Sequence, residues 1–307
     1  MSRKPHPAVA ETRVAVRRLF GDRDQDVCVA VSGGADSLAL AAAARHECDR
    51  VEGLVVDHGL QAGSAEVAAR AAEQLDGLGF DAVRVLTVVV DGPGGPEAAA
   101  RRARHTALRS AAGDRLVLLG HTRDDQAETV LLGLGRGSGP RSIAGMRPLD
   151  PPWARPLLGV ARATTRQACA ALGLTPWDDP HNTDPRYTRV RLRGEVLPLL
   201  EDVLQGGVAA ALARTAAQLQ DDLAALDQLA EGLEPVPATL ATVPAALRRR
   251  ALRRWLAGCG VSGLTDAHLR SVEELVTRWR GQGGVALPGG LVARRAHGRL
   301  TCGRPET

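Results

Sequence analysis

The sequence feature that most constrains the fold is an alternation of two kinds of segment between residue 26 and about residue 134. Short runs rich in β-branched residues, such as VCVAV and RLVLLG, are separated by alanine-rich stretches of helical length. Apolar strands that alternate with helices are typical of a parallel sheet with both faces covered. The pattern therefore predicts an α/β domain built on a doubly wound, mainly parallel sheet, with helices over 64–78 and 96–112.

The rest of the chain changes character twice. The proline-rich stretch 145–160 breaks the alternation and is predicted to be a connecting loop, with a helix over 162–172 after it. The segment EDVLQGG is predicted to be a linker to a smaller region of helices, which we expect over 208–230, 244–257 and 265–280. Apolar runs around Pro-Gly-Gly near the end predict a short β-hairpin. We therefore expect two domains, residues 1–202 and residues 203–307.

The composition excludes several classes of protein. Hydrophobic residues make up 44% of the chain and charged residues 24%, which favours a folded core over disorder. The five cysteines lie at no spacing typical of a zinc site, an iron–sulfur cluster or a disulfide framework. The sequence has no signal-peptide pattern and no apolar run of membrane-spanning length, so we expect a cytoplasmic location.

The first predicted strand ends in SGGADS, Ser32–Ser37, just before a predicted helix. Glycines let backbone N–H groups approach an oxyanion, and the helix N-terminus adds partial positive charge. A carboxylate at Asp36 would repel a bound phosphate unless a divalent cation lay between them, which favours a magnesium pyrophosphate site. The residues alone also allow Asp36 to be a simple helix cap and the glycines a simple turn.

A second segment, HTRDDQAETVLLGLGRGSG, follows the fourth predicted strand. Asp125 and Glu128 are three residues apart and share one face of the helix that should begin here, as do Asp124 and Glu128. Acidic side chains at the carboxyl end of a strand, where open α/β sheets bind ligands, suit a cationic substrate. Acids are also common in the first turn of any helix, so capping alone remains an alternative.

The SGGADS segment resembles the phosphate loop of the PP-loop ATP pyrophosphatases, which cleave ATP between its α- and β-phosphates. Within that superfamily the chain is similar to the tRNA(Ile)-lysidine synthetases through four further segments. These are VVDHGL, EAAARRARH, the DDQAET…RGSG segment, and DPHNTDPRYTRVRLRGEVLP. The resemblance is dense over about residues 26–200 and extends to the last third only in general layout.

The resemblance implies ATP and Mg²⁺ as cofactors, and free L-lysine and the anticodon loop of isoleucine tRNA as partners. It implies a catalytic domain over residues 1–202 and a tRNA-contacting domain over residues 203–307, and a homodimer is left open. The implied ATP-binding residues are Ser32, Gly33, Gly34, Ala35, Asp36, Ser37, Asp57 and His58, with Asp36 also holding the metal. Lysine would be held by Asp125 and Glu128, and tRNA by Arg101, Arg104, Arg136, Arg189 and Arg193. The implied catalytic residues are Asp36, Arg101, Asp125 and Glu128.

The chain departs from the family pattern at four positions, which are His105, Gln61, Val190 and Ser142. A tyrosine, an arginine, an asparagine and a glycine, respectively, are the usual residues there. The net charge of +4 is carried almost wholly by arginine, which is compatible with an RNA partner but does not demand one. A solvated helix face also explains the arginines at 101–104, and the arginines at 248–254 cannot all lie on one side of a helix.

The activity that the resemblance implies is ligation of lysine to the wobble cytidine of a CAU anticodon through an adenylated cytosine. The products would be lysidine, AMP and pyrophosphate. Alternatives within the superfamily are a tRNA thiolase, against which the scattered cysteines argue, and an amide-forming synthetase, which would lack the Asp125–Glu128 and RGSG combination. A non-catalytic nucleotide sensor is the alternative from another class.

Overall fold

The computed structural model describes residues 4–21, 25–59, 63–91, 95–137 and 139–304. The chain packs into two units, the first comprising Met1–Gly137 with Ser142–Ala217 and the second Ser138–Arg141 with Gln218–Thr307. The domain boundary between residues 202 and 203 stays a prediction.

The first unit contains most of the regular structure. In chain order its elements are α1 (Pro7–Phe20), β1 (Asp26–Val31), α2 (Ala35–Glu47), β2 (Arg50–Asp57), α3 (Ser64–Gly77), β3 (Ala82–Thr87), α4 (Pro96–Ala112), β4 (Leu116–Leu119), α5 (Arg123–Arg136), β5 (Leu149–Asp150), β6 (Trp153–Ala154), α7 (Arg162–Leu172), α8 (Thr188–Arg191) and α9 (Leu197–Val203). The short helix α6 (Pro140–Ile143) has its first two residues in the second unit and its last two in the first. Short 3₁₀ turns cover Pro156–Gly159 and Pro180–Thr183, and a π-helical turn covers Leu192–Val196. The next helix, α10 (Val208–Glu231), begins in the first unit and ends in the second.

The central sheet has six strands in the order β3-β2-β1-β4-β6-β5, and every neighbouring pair is parallel except β5 with β6. The chain builds outward from β1 through β2 to β3, and then crosses to the other side of β1 to form β4. This reversal makes the gap between β1 and β4 the switch point of the sheet, where open α/β sheets bind ligands. The predicted doubly wound, mainly parallel fold is confirmed.

Both faces of the central strands are buried, which explains why these strands are apolar at consecutive positions. On β1, Val27, Val29 and Val31 pack into a cluster formed with α1, α2 and α7, and all three are at most 3% exposed. Cys28 points to the opposite face and packs with residues of α4, including Leu108. Alternate residues of one strand therefore serve two separate cores, as expected for a sheet between two helical layers.

The prediction of a connecting loop over 145–160 is wrong in part. The segment forms β5, β6 and a 3₁₀ turn, and Trp153 and Ala154 pair with Val117 and Leu118 of β4. Strands of two residues have no periodicity to detect, and their place in the sheet is fixed by pairing with β4. The N-terminal helix α1, which sequence analysis did not predict, packs against α2 and α7.

The second unit is mostly helical. After the end of α10 it contains α11 (Pro237–Thr242), α12 (Ala245–Gly258), α13 (Asp266–Thr277), β7 (Val285–Leu287), β8 (Leu291–Ala296) and β9 (Arg299–Gly303). The strands form an antiparallel sheet in the order β7-β8-β9, so the predicted hairpin has a third strand. Leucine and valine side chains from these helices and strands form one buried core.

Four of the arginines at 248–254 have structural partners in the second unit, among them Arg254, which donates to the Leu233 carbonyl at 3.0 Å. Arg248 and Arg249 both donate to the buried carboxylate of Glu273, at 2.8 and 2.7 Å, and Arg250 donates to Asp227 at 2.9 Å. Contact of this domain with tRNA stays a prediction.

No single helix in the described parts of the chain has the length and hydropathy needed to cross a membrane, although the bent pair 188–203 and 208–231 meets both criteria when its halves are taken together.

Candidate active site

Two loops meet at the switch point of the sheet, one between β1 and α2 and the other between β4 and α5. Gly120 makes the close approach of these loops possible. A Cβ atom at this position would lie 2.9 Å from the backbone C of Asp36 and 2.9 Å from the backbone N of Ser37. Any larger residue would push α2 away from β4, so glycine here brings the two predicted ligand-binding segments together.

The predicted phosphate loop is held in shape by its own polar groups. The Ser37 hydroxyl accepts a hydrogen bond from the Ser32 N–H at 3.2 Å and donates to the Gly34 carbonyl at 2.9 Å. Gly33 adopts a φ of +82°, which favours glycine, and its carbonyl accepts from the N–H of Trp177 at 2.9 Å. Gly34 provides no side-chain cap for α2, so the N–H groups of the first turn, from Ala35 onward, are available to an anion.

Asp36 lies in the first turn of α2, beside the loop. Its carboxylate accepts a hydrogen bond from the buried Thr165 hydroxyl and another from Arg162 Nε at 3.4 Å. Burial raises the pKa of Asp36, and the contacts with Thr165 and Arg162 offset this only in part. The side chain is 25% exposed, so the carboxylate can still be reached from solvent.

Asp125 has two roles, one for each of its carboxylate oxygens. Oδ2 accepts hydrogen bonds from the Thr122 N–H at 2.8 Å and the Thr122 hydroxyl at 2.9 Å, which completes a capping box at the start of α5. Oδ1 accepts from Arg162 Nη2 at 2.5 Å. Although burial raises the pKa of Asp125, the Arg162 guanidinium and the Thr122 donors together hold it below its usual value.

Glu128 is completely buried one turn further along α5 and is surrounded by guanidinium groups. Arg193 Nε donates to Oε1 at 2.9 Å, and Arg189 Nη1 donates to Oε2 at 3.4 Å. Arg162 Nη1 lies 3.5 Å from Oε1. The predicted pairing of Asp125 and Glu128 on one helix face is therefore present, and two arginines predicted to bind tRNA are in contact with it.

Sequence analysis missed Arg162 and Thr165, both on α7. The Arg162 guanidinium contacts Asp36, Asp125 and Glu128, and its backbone N–H donates to Asp124 at 2.9 Å. Burial lowers the pKa of Arg162, but the surrounding carboxylates, Asp125 foremost, raise it more. One signal was available in the sequence. Arg162 is the first residue of a helix, where the helix dipole disfavours a cation, and such a residue needs anionic neighbours.

A cationic region lies near Asp125 of this carboxylate cluster, around His121 and His58. Arg104 is near His58 at the end of β2. Arg101, Arg104 and Arg155 are near His121, which follows β4, and burial together with their positive charges lowers its pKa. Burial, reinforced by Arg155 and the other arginines, lowers the pKa of His121 to about 4 despite the opposite effect of nearby Asp125. Among the described residues, neither His58 Nδ1 nor His121 Nδ1 has a hydrogen-bond partner. Buried ring nitrogens without partners, next to arginines, suit a polar, anionic ligand.

The remaining predicted residues lie at the edges of this arrangement. Asp57 accepts a hydrogen bond from the Gly59 N–H at 3.0 Å, and this bond, followed by one from Ser64, lowers its pKa. Arg136 lies at the other end of α5, about 16 Å along the helix axis from Asp125, so the structure does not place it with the carboxylates.

The four positions that depart from the family pattern have different surroundings. His105 packs edge-on against Trp153 with ring centroids 4.5 Å apart, and burial, followed by Arg101 and other arginines, lowers its pKa to about 4. The Ser142 hydroxyl donates to the backbone of α5, and Val190 is half-buried in α8. Gln61, like Ser138 of the RGSG segment, lies outside the described residues.

Comparisons with known proteins identify the family of both parts of the chain. Residues 9–200 match the family model described as a PP-loop domain, and residues 238–301 match the model described as a TilS substrate binding domain. The U34-tRNA thiolase NcsA of Methanococcus maripaludis, solved with its [4Fe-4S] cluster, superposes with a TM-score of 0.57 at 17% identity. The superposition covers 70% of this chain and 80% of the thiolase chain, so the two proteins share a fold.

Curated relatives are much more similar in sequence. The tRNA(Ile)-lysidine synthase of Rhodococcus erythropolis is 58% identical over 97% of this chain and 96% of its own length. The tRNA(Ile)-lysidine synthase of Nocardia farcinica is 62% identical over 91% of this chain and 92% of its own length. The tRNA(Ile)-lysidine synthase of Mycobacterium tuberculosis is 55% identical over 97% of this chain and 95% of its own length. The phosphate loop, the carboxylate cluster and these similarities over nearly the whole length lead to one conclusion: the chain belongs to the tRNA(Ile)-lysidine synthase family of PP-loop proteins.

Proposed function

We propose that this protein uses ATP to join free L-lysine to the wobble cytidine of an isoleucine tRNA with a CAU anticodon, giving lysidine, AMP and pyrophosphate. The observation that carries the proposal is the pairing of Asp125 with the fully buried Glu128 beside a phosphate loop, in a chain of this family. The pair suits an ammonium group, and the loop suits a nucleoside triphosphate, so the switch point can bring both substrates to one place.

The chemistry explains why both substrates are needed. The cytosine carbonyl carbon resists attack by an amine because its oxygen is a poor leaving group. When that oxygen attacks the α-phosphorus of ATP, the α–β bond breaks and pyrophosphate leaves. The lysine ε-nitrogen then attacks the carbon, and the oxygen departs with AMP. The ε-ammonium group must lose a proton to become nucleophilic, since its pKa in water is about 10.4.

Asp125 and Glu128 have different roles in the proposed reaction. The lowered pKa of Asp125 makes it a poor proton acceptor, and one of its oxygens is used to cap α5. We assign to Asp125 the binding of the ammonium group. Glu128 is held by guanidinium groups, but two of them, Arg193 and Arg189, are 34% and 43% exposed and can turn away. We assign to Glu128 the acceptance of the proton once these two arginines have left it.

Asp36 fits a Mg²⁺ ion that accompanies the triphosphate. Its carboxylate is a hard oxygen donor beside the phosphate loop, and Mg²⁺ in nucleotide sites usually needs only one or two carboxylates besides the phosphates. The bound ion would neutralise charge on the departing pyrophosphate. The weak contact between Arg162 Nε and Asp36 leaves that oxygen available, while Thr165 keeps the carboxylate oriented.

The cationic region suits RNA and nucleotide phosphates. Arg101 and Arg104 lie beside His58 and His121, whose Nδ1 atoms have no partner in the described parts of the chain. A cytidine must leave the anticodon stack to reach the phosphate loop, and arginines can hold the flanking phosphates during that change. We propose this region as the contact with the anticodon loop; a cytoplasmic location and a homodimer remain predictions.

The rival functions are less well supported. Burial raises the pKa of the thiols of Cys28, Cys48 and Cys169 to about 11, which suits core residues and not sulfur transfer. A nucleotide sensor would not need the carboxylate pair.

The test is nucleoside mass spectrometry on an isoleucine tRNA transcript incubated with the protein, ATP, Mg²⁺ and lysine. We expect a lysine adduct on the anticodon cytidine. Asp36→Asn should lower its rate of formation by at least about 100-fold, while the exposed control Asp178→Asn should not change it. An unmodified cytidine, or an adduct formed with another amine but not with lysine, would overturn the proposal.

A further inference from the structure

The three guanidinium groups around the buried Glu128 differ in exposure. The Arg162 side chain is 16% exposed and also contacts Asp36 and Asp125, so it is a permanent part of the cluster. Arg193 and Arg189 are 34% and 43% exposed, and each reaches Glu128 from the surface segment formed by α8 and the π-helical turn after it. Two of the three counterions of Glu128 can therefore turn toward solvent or toward a ligand.

Glu128 is the carboxylate on which these guanidinium groups converge. Arg162, Arg189 and Arg193 all lie within 3.5 Å of its two oxygens. A lysine ammonium group that enters the cluster adds a fourth positive charge near a fully buried side chain. Buried charges are tolerated only when paired, so the ammonium group must compete with a guanidinium group for Glu128.

Arg189 and Arg193 are the two arginines whose guanidinium groups can leave Glu128. A guanidinium group binds phosphate with the same pair of parallel hydrogen bonds that it forms with carboxylate. An RNA phosphate can therefore replace Glu128 as the partner of either arginine. We propose that tRNA and lysine bind cooperatively because Arg189 and Arg193 exchange between Glu128 and the RNA, leaving Glu128 free for the lysine ammonium group. This inference rests on the proposed function, and it adds that the amine site is masked until RNA is bound.

The neighbouring Arg191 provides a matched control. It lies on the same short segment but pairs with Glu195 one turn away, at 2.8 Å, and does not reach the carboxylate cluster. Removing it takes one positive charge from the segment, as removal of Arg189 or Arg193 alone would, without changing the counterions of Glu128.

The experiment measures the dissociation constant of L-lysine by calorimetry, with Mg²⁺ and α,β-methylene ATP present to prevent turnover. Each protein is measured with and without an isoleucine anticodon stem-loop RNA. We expect the RNA to lower the wild-type constant for lysine about tenfold. The double variant Arg189→Ala/Arg193→Ala should bind lysine about tenfold more tightly than wild type without RNA, and RNA should have no further effect. Arg191→Ala should behave as wild type in both conditions.

Tighter binding after loss of two arginines is a result that simple structural damage would not produce. Because coupling is reciprocal, lysine must also increase the wild-type protein's affinity for the RNA by the same factor, a test that needs no variant. Lysine affinity that is independent of RNA in a wild-type protein that still makes lysidine would overturn the inference and leave the proposed function intact. Absence of lysidine would instead overturn the proposed function.

Discussion

At the scale of the residue, Arg162 organises the candidate active site. Its guanidinium contacts the carboxylates of Asp36, Asp125 and Glu128, which come from two different helices. Three carboxylates so close together would otherwise repel one another and take up protons. Arg162 thus links Asp36, which is proposed to serve the nucleotide, to Asp125 and Glu128, which are proposed to serve the amine, and we propose it as a positioning residue.

This role predicts a change in pH dependence. Arg162 is the main group that lowers the pKa of Asp125, so Arg162→Gln should raise that pKa. Asp125 then stays protonated, and unable to bind an ammonium group, up to a higher pH than in the wild type. We expect the acidic limb of the kcat/KM profile for lysine to move to higher pH. Arg166→Gln on the same helix is the control, since Arg166 pairs with the exposed Asp178 at 3.2 Å and with no carboxylate of the cluster among the described residues. An unchanged acidic limb in Arg162→Gln would contradict this account.

At the scale of the element, the contact between the end of β4 and the start of α2 sets the geometry of the phosphate loop. Gly120→Ala places a methyl group 2.9 Å from backbone atoms of Asp36 and Ser37, neither of which can move without moving α2. We expect a loss of about 1–3 kcal/mol in the free energy of unfolding and a higher KM for ATP. Gly135→Ala, where a Cβ meets nothing within 4 Å, should not lower Tm. Equal effects of the two variants would argue against the close-contact explanation.

The ion pair between α12 and α13 predicts a difference between buried and exposed arginines. Arg248, whose side chain is 12% exposed, holds Glu273, whose side chain is 9% exposed. Arg248→Ala removes one of two partners of that carboxylate and should cost about 1–3 kcal/mol of stability, measured by denaturant unfolding. Arg270, which pairs with Asp266 on the surface of α13, is the control, and its replacement by alanine should leave the unfolding midpoint unchanged. The account of Arg248 fails if both variants unfold at the same denaturant concentration.

The elements differ in how far the sequence could predict them. Helices with a long apolar pattern, such as α4 and α7, occupy the predicted residues, because their local pattern and their packing agree. Strands β5 and β6 were missed because two-residue strands depend on a partner that is distant in sequence. Within the site, the three-residue spacing predicted the Asp125–Glu128 pair. Arg162 lies 34 residues after Glu128, and only the fold brings it there.

At the scale of the whole molecule, RNA binding should depend on arginine side chains and therefore on salt. Arg101 is exposed at the cationic side of the site and is proposed to contact phosphate. Loss of one phosphate contact reduces the slope of log K against log salt by about 0.9 for duplex and about 0.7 for single strands. We expect Arg101→Ala to weaken tRNA binding and flatten this slope by that amount in filter-binding titrations. An unaltered slope would show that Arg101 does not contact an RNA phosphate.

The central claim, that Asp125 and Glu128 serve the lysine and not the ATP, is tested most directly by separating the two half-reactions in Glu128→Gln. Single-turnover experiments with ATP, Mg²⁺, isoleucine tRNA and lysine would follow pyrophosphate release and lysidine formation in the same samples. The account predicts pyrophosphate release close to the wild-type rate, an adenylated tRNA that accumulates, and lysidine formation slowed at least about 100-fold. Equal loss of both steps, or lysidine formed at the wild-type rate, would contradict it.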